Sequence, residues 1–531
     1  MEKKDSRLKA MKNSNRKGHS LPTVGEVASD SPLRKQGCSS CARGRSFLAS
    51  ILASALLLSG CAVGPKYQRV KVNSPAQFRG VQGAAQQASF ADLPWWEAFK
   101  DEELKALIKT ALANNYDLGV AVSRVEQARQ IAAQARAQYF PAVDYSVGAS
   151  NGKNEFAGST NFPVGGGKTQ GAFLALARAA WQPDIWGRIR RLNESARAQY
   201  LSTEEARRGV MLTLTADVAE AYFQLLGLEL QLEIAKENTA SFTSTYNLFM
   251  QRYQGGVTSK LAPSRAEAAQ AAAASTIPEY ERQIALLENQ ISVLLGQNPT
   301  SIRHTAKLLN QVVPPEIPVG LPSALLERRP DVCAAEQQVV AANAQIGVAI
   351  ANFFPQLGLT ALIGNVSQPL SDITSGHGNL WSIAGNLTGP VYQGGSLRAQ
   401  KRQAVAFWEQ SRLQYEQAAL NAFTDVANAL ISRQKYEAIR SQQERSVAAY
   451  QEAVQIALER YDAGKASYFE VLEAQIQLYP EQIALAQTET NRRVVVVQLY
   501  LALGGGWNLT DSDWLNLTVT PPAPGSPCRR P

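Results

Sequence analysis

The sequence predicts a mainly α-helical protein that also carries a few β-strands long enough to cross a membrane. Three observations lead to this fold class: an internal repeat through most of the chain, two very long stretches nearly free of glycine and proline, and short segments with alternating residues. At 531 residues the chain is long enough for several domains. A repeat of this extent instead favours one interlocked body.

The internal repeat keeps a constant spacing of 208 positions. The shared motifs are Asp217-Val218-Ala219 with Asp425-Val426-Ala427, Arg252-Tyr253 with Arg460-Tyr461, and Leu295-Gly296 with Leu503-Gly504. A second register, with a spacing of 214, relates Tyr139-Phe140-Pro141 to Phe353-Phe354-Pro355. The chain therefore contains two structurally equivalent halves, and a loop between these two registers differs in length.

The positive charge of the chain belongs to its N-terminus. The formal net charge is +8, but residues 1–60 hold 11 Lys and Arg against 4 Asp and Glu, so the remainder has a net charge of +1. This distribution argues against a basic surface that binds nucleic acid. Within the leader, Arg43 and Arg45 precede an apolar run over 47–58, which indicates a signal peptide over 1–60.

The leader ends in a cysteine that suggests a lipid anchor. Leu58-Ser59-Gly60-Cys61 resembles the bacterial lipobox, in which the cysteine receives a diacylglycerol and becomes the first residue of the mature protein. Ala62 is not the aspartate that usually retains such proteins in the inner membrane. We therefore predict lipidation at Cys61, and an ordinary signal peptide with an incidental cysteine remains the alternative.

The other cysteines give weaker signals. Cys38 and Cys41 form a Cys-x-x-Cys motif, but they lie in the part of the leader that we expect to be removed. Cys333 and Cys528 remain in an oxidising compartment, where a pair requires their Cα atoms to lie within about 7 Å. The sequence does not show that Cys333 and Cys528 lie this close together, and we favour an interpretation without a structural disulfide.

Two long segments predict exceptionally long helices. The run from Ser396 to Ala463 contains neither glycine nor proline, and its equivalent from Arg188 to Gln254 contains only Gly209 and Gly227. Both are rich in residues that favour helices. A helix of about 65 residues would extend roughly 100 Å.

Apolar residues in these segments recur at alternating steps of three and four, which is typical of a coiled-coil seam. The predicted seam of the first half contains Met211, Leu214, Val218, Ala221, Leu225, Leu228, Leu232 and Ala235. That of the second half contains Leu420, Phe423, Ala427, Leu430, Val447, Tyr450, Val454, Ala457 and Tyr461. Helices with two apolar flanks can form a curved wall, although an antiparallel bundle without a lumen fits the same pattern.

A break containing glycine follows each long segment, and a second helical run returns to Leu295 or Leu503. This pattern predicts two helical hairpins with matched tips. The tip residues are Gly255, Gly256 and Val257 in the first half, and Gly464, Lys465, Ala466 and Ser467 in the second half.

Four segments change to a period of two, which predicts strands. Alternation is clear around Tyr145 and Val147, from Leu357 to Ile363 and from Trp381 to Leu387, and is less regular from Ala172 to Trp181. Strands of about ten residues are long enough to cross a membrane when tilted. Because four strands cannot close a barrel, a membrane barrel would have to be shared between chains. Two soluble hairpins that cap a bundle are the alternative.

The chain resembles a known family in motifs spread over nearly all of its mature length. These are the lipobox followed by Gly64, Pro65 and Tyr67; Trp95, Trp96 and Phe99; Arg328-Arg329-Pro330-Asp331; Phe353-Phe354-Pro355; Ile185-Trp186-Gly187-Arg188; and Gly389-Pro390 with Gly394-Gly395. In this order, and on a 208-residue duplication, they resemble the TolC type of outer-membrane channel, specifically its lipoprotein branch.

This resemblance implies a homotrimer that is lipid-anchored in the outer membrane and extends into the periplasm. Each chain would contribute four strands to a twelve-stranded β-barrel, continuous with a long α-helical coiled-coil barrel. It also implies a periplasmic adaptor protein at the helical tips and an inner-membrane transporter, with no cofactor and no nucleic-acid partner. The predicted function is the passive duct of a tripartite, RND-type efflux pump for drugs and other small molecules.

The resemblance further places a periplasmic gate at the tip of the second half, lined by Glu470 and Glu473 and restrained by Tyr461. Two carboxylates at positions i and i+3 share a helix face, where like charges repel and attract cations. Ala262 and Ala466 stand where gate-restraining polar residues can occur in the family. A solvated helix face is the alternative interpretation of both glutamates.

Catalysis finds little support in the sequence. His19, His304 and His377 lack the spacing of metal ligands. The stretch from Gly165 to Thr169 lacks the first glycine of a phosphate-binding loop. We predict neither an enzyme nor a metal site, and keep two alternatives to efflux: the same architecture in type I protein secretion, and a non-channel coiled-coil lipoprotein.

The predicted organisation follows from the leader and the repeat. It comprises a signal peptide over 1–60, a first repeat with the lipid-anchored segment over 61–300, a second repeat over 301–506 and a C-terminal tail over 507–531.

Overall fold

A computed structural model describes most of the chain. The described residues are 62–81, 89–94, 97, 101–153, 169–311, 318–373 and 378–509. Several sequence features lie outside them, namely the leader with Cys61, Trp95 and Trp96, Phe99, Gly165–Lys168, His377, and residues 510–531 with Cys528.

The same order of elements occurs twice along the chain. The first half contains α1 (Glu102–Asn114), α2 (Tyr116–Ala137), β1 (Ala142–Lys153), β2 (Thr169–Trp181), α3 (Arg188–Gln254) and α4 (Leu261–Leu294). The second half contains α5 (Pro322–Arg328), α6 (Pro330–Ala351), β3 (Gln356–Ser367), β4 (Asn379–Thr388), α7 (Ser396–Asp462) and α8 (Tyr468–Ala502). The predicted duplication is therefore confirmed element by element.

The two long helices have the predicted bounds and contain 67 residues each. Each begins directly after a glycine in the left-handed conformation, Gly187 with φ +78° and Gly395 with φ +86°, a geometry that glycine adopts without strain. Gly227 lies inside α3 because α8 passes close by: a Cβ atom there would lie closer to the Thr490 side chain than any real contact allows.

The buried residues of the two long helices largely agree with the predicted seams. In α3, the buried seam residues are Met211, Leu214, Val218, Ala221, Leu225 and Ala235. In α7, they are Phe423, Leu430, Val447, Ala457 and Tyr461. Leu420, a predicted seam residue of α7, has an exposed fraction of 56%. The prediction was wrong at this position because α7 packs mainly against α6 and α8 and leaves an apolar flank open.

The strands form one antiparallel sheet in the order β1-β2-β3-β4. The pairing of β2 with β3 joins the two halves, while β1 and β4 are the edges. Tyr145, Ala177, Ile363 and Trp381 lie opposite one another across the four strands, so they share one face. The prediction of four strands is confirmed, with lengths of 12, 13, 12 and 10 residues.

The main core lies midway along the long helices, where α1 and the end of α8 pack against α3, and α5 packs against α6 and α7. Its largest fully buried side chains include Tyr222, Leu225, Tyr500 and Leu104. Among the described residues, no helix has both the length and the apolar character needed to cross a bilayer.

Residues 62–81, which we call the N-terminal strap, run along this helical body. Arg191 donates hydrogen bonds to the carbonyl groups of Val63 and Gly64. Arg69 forms ion pairs with Glu327 and Glu336 at 2.7 and 3.2 Å. The strap is therefore held by polar contacts to α3, α5 and α6.

Cys333, near the start of α6, is disulfide-bonded. The interpretation without a structural disulfide was therefore wrong. Sequence spacing alone could not reveal the pair, because a disulfide depends on how distant segments approach one another.

Candidate functional site at the helical tips

Hairpin one (α3 and α4) and hairpin two (α7 and α8) turn in the same way. The N–H of Val257 donates to the carbonyl of Arg252, and the N–H of Lys465 donates to that of Arg460, both at 2.8 Å. Gly256 and Gly464 adopt φ values of +73° and +70°. This is the Schellman arrangement that ends a helix in a left-handed residue, so the repeated Arg-Tyr-x-x-Gly motif encodes the turn itself.

The two returning helices start differently. In hairpin two, Ser467 and Glu470 form a capping box, in which each side chain bonds the backbone N–H of the other residue. In hairpin one, α4 follows Lys260 without a side-chain cap. Glu470, predicted to line a gate, thus also fixes the start of α8.

Tyr461, the predicted restraining residue, is buried between the two hairpins. Its ring meets the ring of Phe249 edge-on with centroids 5.2 Å apart. The guanidinium of Arg252 stacks over the ring, 4.2 Å from its centroid, and forms an ion pair with Asp462 at 3.2 Å. The hydroxyl of Tyr461 is buried and makes no hydrogen bond among the described residues. Tyr461 therefore acts through its ring and through Arg252.

These aromatic contacts belong to a small tip cluster, separate from the main core. Its buried members are Phe249, Ala262, Ala266, Ala457, Tyr461 and Val471. Ala262, where a polar residue was considered, is fully buried in this cluster. A polar side chain at this position would need a partner inside the cluster.

The predicted acidic residues lie on the exposed side of the same tip. Glu470 approaches Arg460 at 3.6 Å, and Glu473 accepts a hydrogen bond from Gln477 at 3.1 Å. Arg265, which is equivalent to Glu473 in hairpin one, lies with its guanidinium 6.0 Å from the Phe469 ring. The structure thus separates a buried contact at Tyr461 from an exposed acidic face.

Most of the tip residues predicted to contact an adaptor are exposed. Val257 has an exposed fraction of 73%, and Gly255, Gly256, Gly464, Lys465 and Ser467 are also exposed. Ala466 is partly buried against the tip cluster.

Sequence reasoning missed the polar contacts that join the hairpins. Above the tip, the Nε2 atom of Gln475 donates to Thr245 at 2.9 Å and to Ser241 at 3.1 Å. One layer further along, Asn238 donates to Gln482 at 2.8 Å. Buried amides within otherwise apolar seams fix the register of paired helices. These contacts could have been suspected from the sequence, because polar residues occupy positions of the seam that are otherwise apolar.

The start of the strap lies beside the junction of β2 and α3. The N–H of Val63 donates to the carbonyl of Trp186 at 3.1 Å, and a Cβ atom on Gly187 would lie 2.6 Å from the Cα of Ala62. Cys61 itself lies outside the described residues, but Ala62 follows it directly.

The histidine that the structure describes has a packing role. The Nε2 atom of His304 lies 3.1 Å from Glu229, and its ring packs edge-on against Tyr222. Over the described ranges, the structure brings together no group of three or more His, Cys, Asp or Glu side chains suited to a metal ion.

This chain matches a known protein family and several characterised relatives. Residues 107–297 and 321–505 match the family described as "Outer membrane efflux protein". The cation efflux system protein CusC of Escherichia coli O6:H1 is 33% identical over 458 residues, which cover 85% of this chain and 97% of CusC. The solvent efflux pump outer membrane protein SrpC of Pseudomonas putida is 33% identical over 463 residues, which cover 86% of this chain and 98% of SrpC.

A solved structure shows the same fold. The outer-membrane channel OprN superposes with a TM-score of 0.77 at 31% identity, covering 84% of this chain and all of OprN.

Proposed function

Because the chain belongs to the outer membrane efflux protein family, it is an outer-membrane channel of an efflux pump, and we propose that it is the passive export duct of a three-part assembly. A periplasmic adaptor and an energised inner-membrane transporter complete this assembly. The observation that carries the proposal is that one chain combines a membrane-length sheet with two helical hairpins whose long helices have 67 residues each.

The open sheet supports a barrel shared between chains, and the homotrimer that we propose would close it. One chain offers four strands with free edges at β1 and β4, and the smallest membrane barrels need about eight strands. Three chains supply twelve. The row of Tyr145, Ala177, Ile363 and Trp381 gives the lipid-facing surface, whereas Asp144, Arg178 and Ser382 on the opposite face suit a water-filled lumen.

The open flank of α7 supports the same assembly. Val405, Leu413 and Leu420 are exposed along it. An apolar stripe of this length on a helix marks a packing surface. Packing against a neighbouring chain covers this stripe and completes a coiled-coil wall, in preference to a bundle without a lumen.

Lipidation at Cys61 fits the position of the strap. Ala62 and Val63 contact Gly187 and Trp186, at the junction of sheet and helices, which is where the inner surface of the outer membrane would lie. An acyl chain on Cys61 would enter the bilayer there. The corresponding organisation is a signal peptide over 1–60, repeats over 61–300 and 301–506, and a tail over 507–531.

At the periplasmic end, Tyr461 holds the two hairpins of each chain together, and Glu470 and Glu473 line the opening. The exposed tip residues, with Val257 and Lys465 as examples, form the adaptor contact. The duct carries out no chemistry, so the protein is not an enzyme and needs neither a metal nor a cofactor.

The cargo class is small hydrophobic molecules or cations, as suggested by relatives named for solvent and cation efflux. Deletion of the gene should raise sensitivity to hydrophobic drugs or metal salts, and the purified trimer should conduct in planar bilayers. Unchanged sensitivity together with loss of a secreted protein would favour type I secretion instead. A purified monomer without conductance would favour a non-channel lipoprotein.

A further inference from the structure

Apolar side chains pack into two separate regions along the hairpins. Near the turns lie the tip cluster and a second small group formed by Phe242, Ala273 and Leu472, which we together call the tip region. The buried residues of the main core, which we call the body, reach only to Leu226 of α3 and Leu287 of α4 in hairpin one. A level with different packing therefore separates the tip region from the body.

This level, which we call the waist, contains few buried apolar side chains. It consists of residues 228–241 of α3, 274–286 of α4, 431–446 of α7 and 476–485 of α8. In these four stretches, which the structure describes in full, the one buried apolar side chain is Ala235. Segments with few buried apolar contacts open at a lower free-energy cost than the packed regions beside them.

An open cavity of about 610 Å³ lies between the two hairpins at the waist. It is bordered by Leu230 and Ile234 of α3, Glu444 of α7, and Gln482 and Leu485 of α8. Side chains that face such a space have no protein atoms to contact on that side. Fewer contacts therefore resist a change in helix positions at the waist than in the tip region or the body.

Both returning helices contain a proline at the waist, Pro278 in α4 and Pro480 in α8. A proline inside a helix has no N–H and removes the hydrogen bond to the carbonyl four residues earlier, which here belongs to Ala274 or Ile476. Helices bend preferentially at such positions. The backbone of each returning helix is thus weakened at the level where the side-chain packing is also weakest.

Polar side chains join the two hairpins at the waist. Asn238 of α3 donates to Gln482 of α8 at 2.8 Å. The Oγ1 atom of Thr276 lies 2.9 Å from the hydroxyl of Tyr479, which directly precedes Pro480. The second contact links α4 to α8 beside both prolines, so that a bend in one returning helix is passed to the other.

Ion pairs at the level of the waist join the two helices of one hairpin. Arg492 of α8 pairs with Glu437 of α7 at 2.8 Å, and Lys236 of α3 approaches Glu281 of α4 at 3.8 Å. In each pair at least one side chain is more than half exposed, so the attraction is weak and the partners can shift. These pairs keep the helices of a hairpin side by side while the hairpin bends.

We propose that the waist is a hinge at which the tip region of each chain tilts relative to the body. The tip region tilts as one unit because its cluster contains residues of all four helices, for example Phe249, Ala266, Tyr461 and Val471. The purpose of this hinge rests on the proposed function, since a tilt of three tip regions would widen the periplasmic end of the duct. The hinge itself is a property of one chain.

Amide hydrogen exchange, followed by mass spectrometry on the detergent-solubilised protein, tests the hinge without any measurement of conduction. Peptides from the waist, 274–286 and 476–485, should exchange about tenfold faster or more than peptides from the tip region, 261–273 and 468–475. Fraying from the turns gives the opposite order, with exchange that slows steadily from the turn to the body. That order would overturn the proposal, and it would leave the export function untouched.

The double variant Pro278→Ala and Pro480→Ala restores both missing N–H groups and should slow exchange at the waist about tenfold. Pro263→Ala is the matched control, because Pro263 lies in the first turn of α4, where an N–H has no partner within the helix. This control should exchange at the waist like the unaltered protein. Unchanged exchange in the double variant, or equal slowing in the control, would also overturn the proposal.

The tilt is measured by electron paramagnetic resonance with a spin label at Lys465→Cys, after subtraction of the signal from the identically treated unaltered chain. Distances between labels on different chains should span a narrower range in the double variant than in the protein with both prolines. Pro263→Ala should keep the wider range. A range of the same width in all three proteins would show that the tip region does not tilt at the waist.

Discussion

Asn115 and Arg329, which lie 214 positions apart, donate hydrogen bonds to equivalent carbonyl groups in the two halves. Asn115 donates to Leu294 at 3.0 Å, and Arg329 donates to Ala502 at 3.3 Å. Each residue immediately precedes a scaffold helix, α2 or α6. Two different side chains thus tie the start of that helix to the end of the returning helix. Arg329 additionally forms ion pairs with Asp331 and Asp425.

Removal of Arg329 should therefore destabilise the protein more than removal of Asn115. Arg329→Ala loses a charge-assisted hydrogen bond to the carbonyl of Ala502 and two ion pairs with half-exposed carboxylates, which together should cost about 2 to 3 kcal/mol. Asn115→Ala loses a helix cap and the neutral hydrogen bond to the carbonyl of Leu294, which together should cost about 1 to 1.5 kcal/mol. Thermal unfolding of the detergent-solubilised protein measures both. Equal shifts in melting temperature would contradict this ranking.

Weakening the contact between Arg252 and Tyr461 should open the periplasmic end. Arg252→Ala removes the stacked guanidinium and the ion pair with Asp462, so single-channel recordings should show a larger mean conductance. Tyr461→Phe is the matched control, because the tyrosine hydroxyl has no partner among the described residues. An increase in both variants, or in neither, would argue against the assigned contact.

Neutralising the acidic face should reduce cation selectivity. Glu470→Gln preserves the capping box, since glutamine can also occupy that position, and Glu473→Gln removes an exposed charge. The double variant should shift the reversal potential in a salt gradient toward lower cation preference. Glu279→Gln, an exposed carboxylate far along α4, should leave it unchanged. If the double variant matches this control, the two glutamates do not line the pore.

The strap should depend on a close backbone approach between Gly64 and Gly347. A Cβ atom on Gly64 would lie 2.6 Å from the Cα of Gly347, and Gly64 has a φ of +101°. Gly64→Ala should therefore release the strap and speed tryptic cleavage after Arg69. Gly119→Ala, in an open position of α2, should not. Equal cleavage rates in the two variants would show that the strap is held elsewhere.

The fold should lose stability at acidic pH partly through Glu489. Burial acts to raise the pKa of its carboxyl, but hydrogen bonds from Arg493 and Arg440 outweigh it and hold the pKa below its usual value of 4.5. A carboxyl with a lowered folded pKa stabilises the fold above its unfolded pKa, and this contribution is lost as the pH falls through the folded pKa.

Melting temperatures between pH 7 and pH 3 test this contribution. Glu489→Gln should lower the melting temperature at neutral pH and flatten the decline below about pH 4.5. Glu459→Gln, an exposed carboxylate on α7, should retain the full decline. A decline that is equally steep in both variants would assign the acid sensitivity to other groups.

The residue pattern within short stretches of the sequence predicted the helices, strands and turns of this fold well. The bounds of α3, the four strands and the two glycine turns follow from periodicity, residue composition and turn chemistry, which act over a few neighbouring residues. The exposure of Leu420 on α7 could not be predicted in the same way. Leu420 and Ala419 are adjacent and both apolar, and only the crossing of α7 with α6 and α8 decides which one is buried.

At the helical tips, too, the sequence did not reveal contacts between residues that are far apart in the chain. Tyr461 and the acidic residues came from the resemblance, whereas the partners of Tyr461 came from the structure. Arg252 lies 209 positions from Tyr461, and a contact over that distance depends on how hairpin one crosses hairpin two. The strap has no periodicity that the sequence could reveal, because hydrogen bonds and two glycines hold it in place.

The linear order of the sheet means that, in the proposed trimer, β4 of each chain pairs with β1 of the next chain. The edges β1 and β4 are unlike, so each chain joins the next through the same head-to-tail contact and the ring contains no two-fold interface. Two chains held in the geometry of this three-chain ring would leave two unpaired strand edges, whose backbone groups are costly to place in lipid. Entry of the strands into the bilayer is therefore an all-or-none event that waits for the third chain.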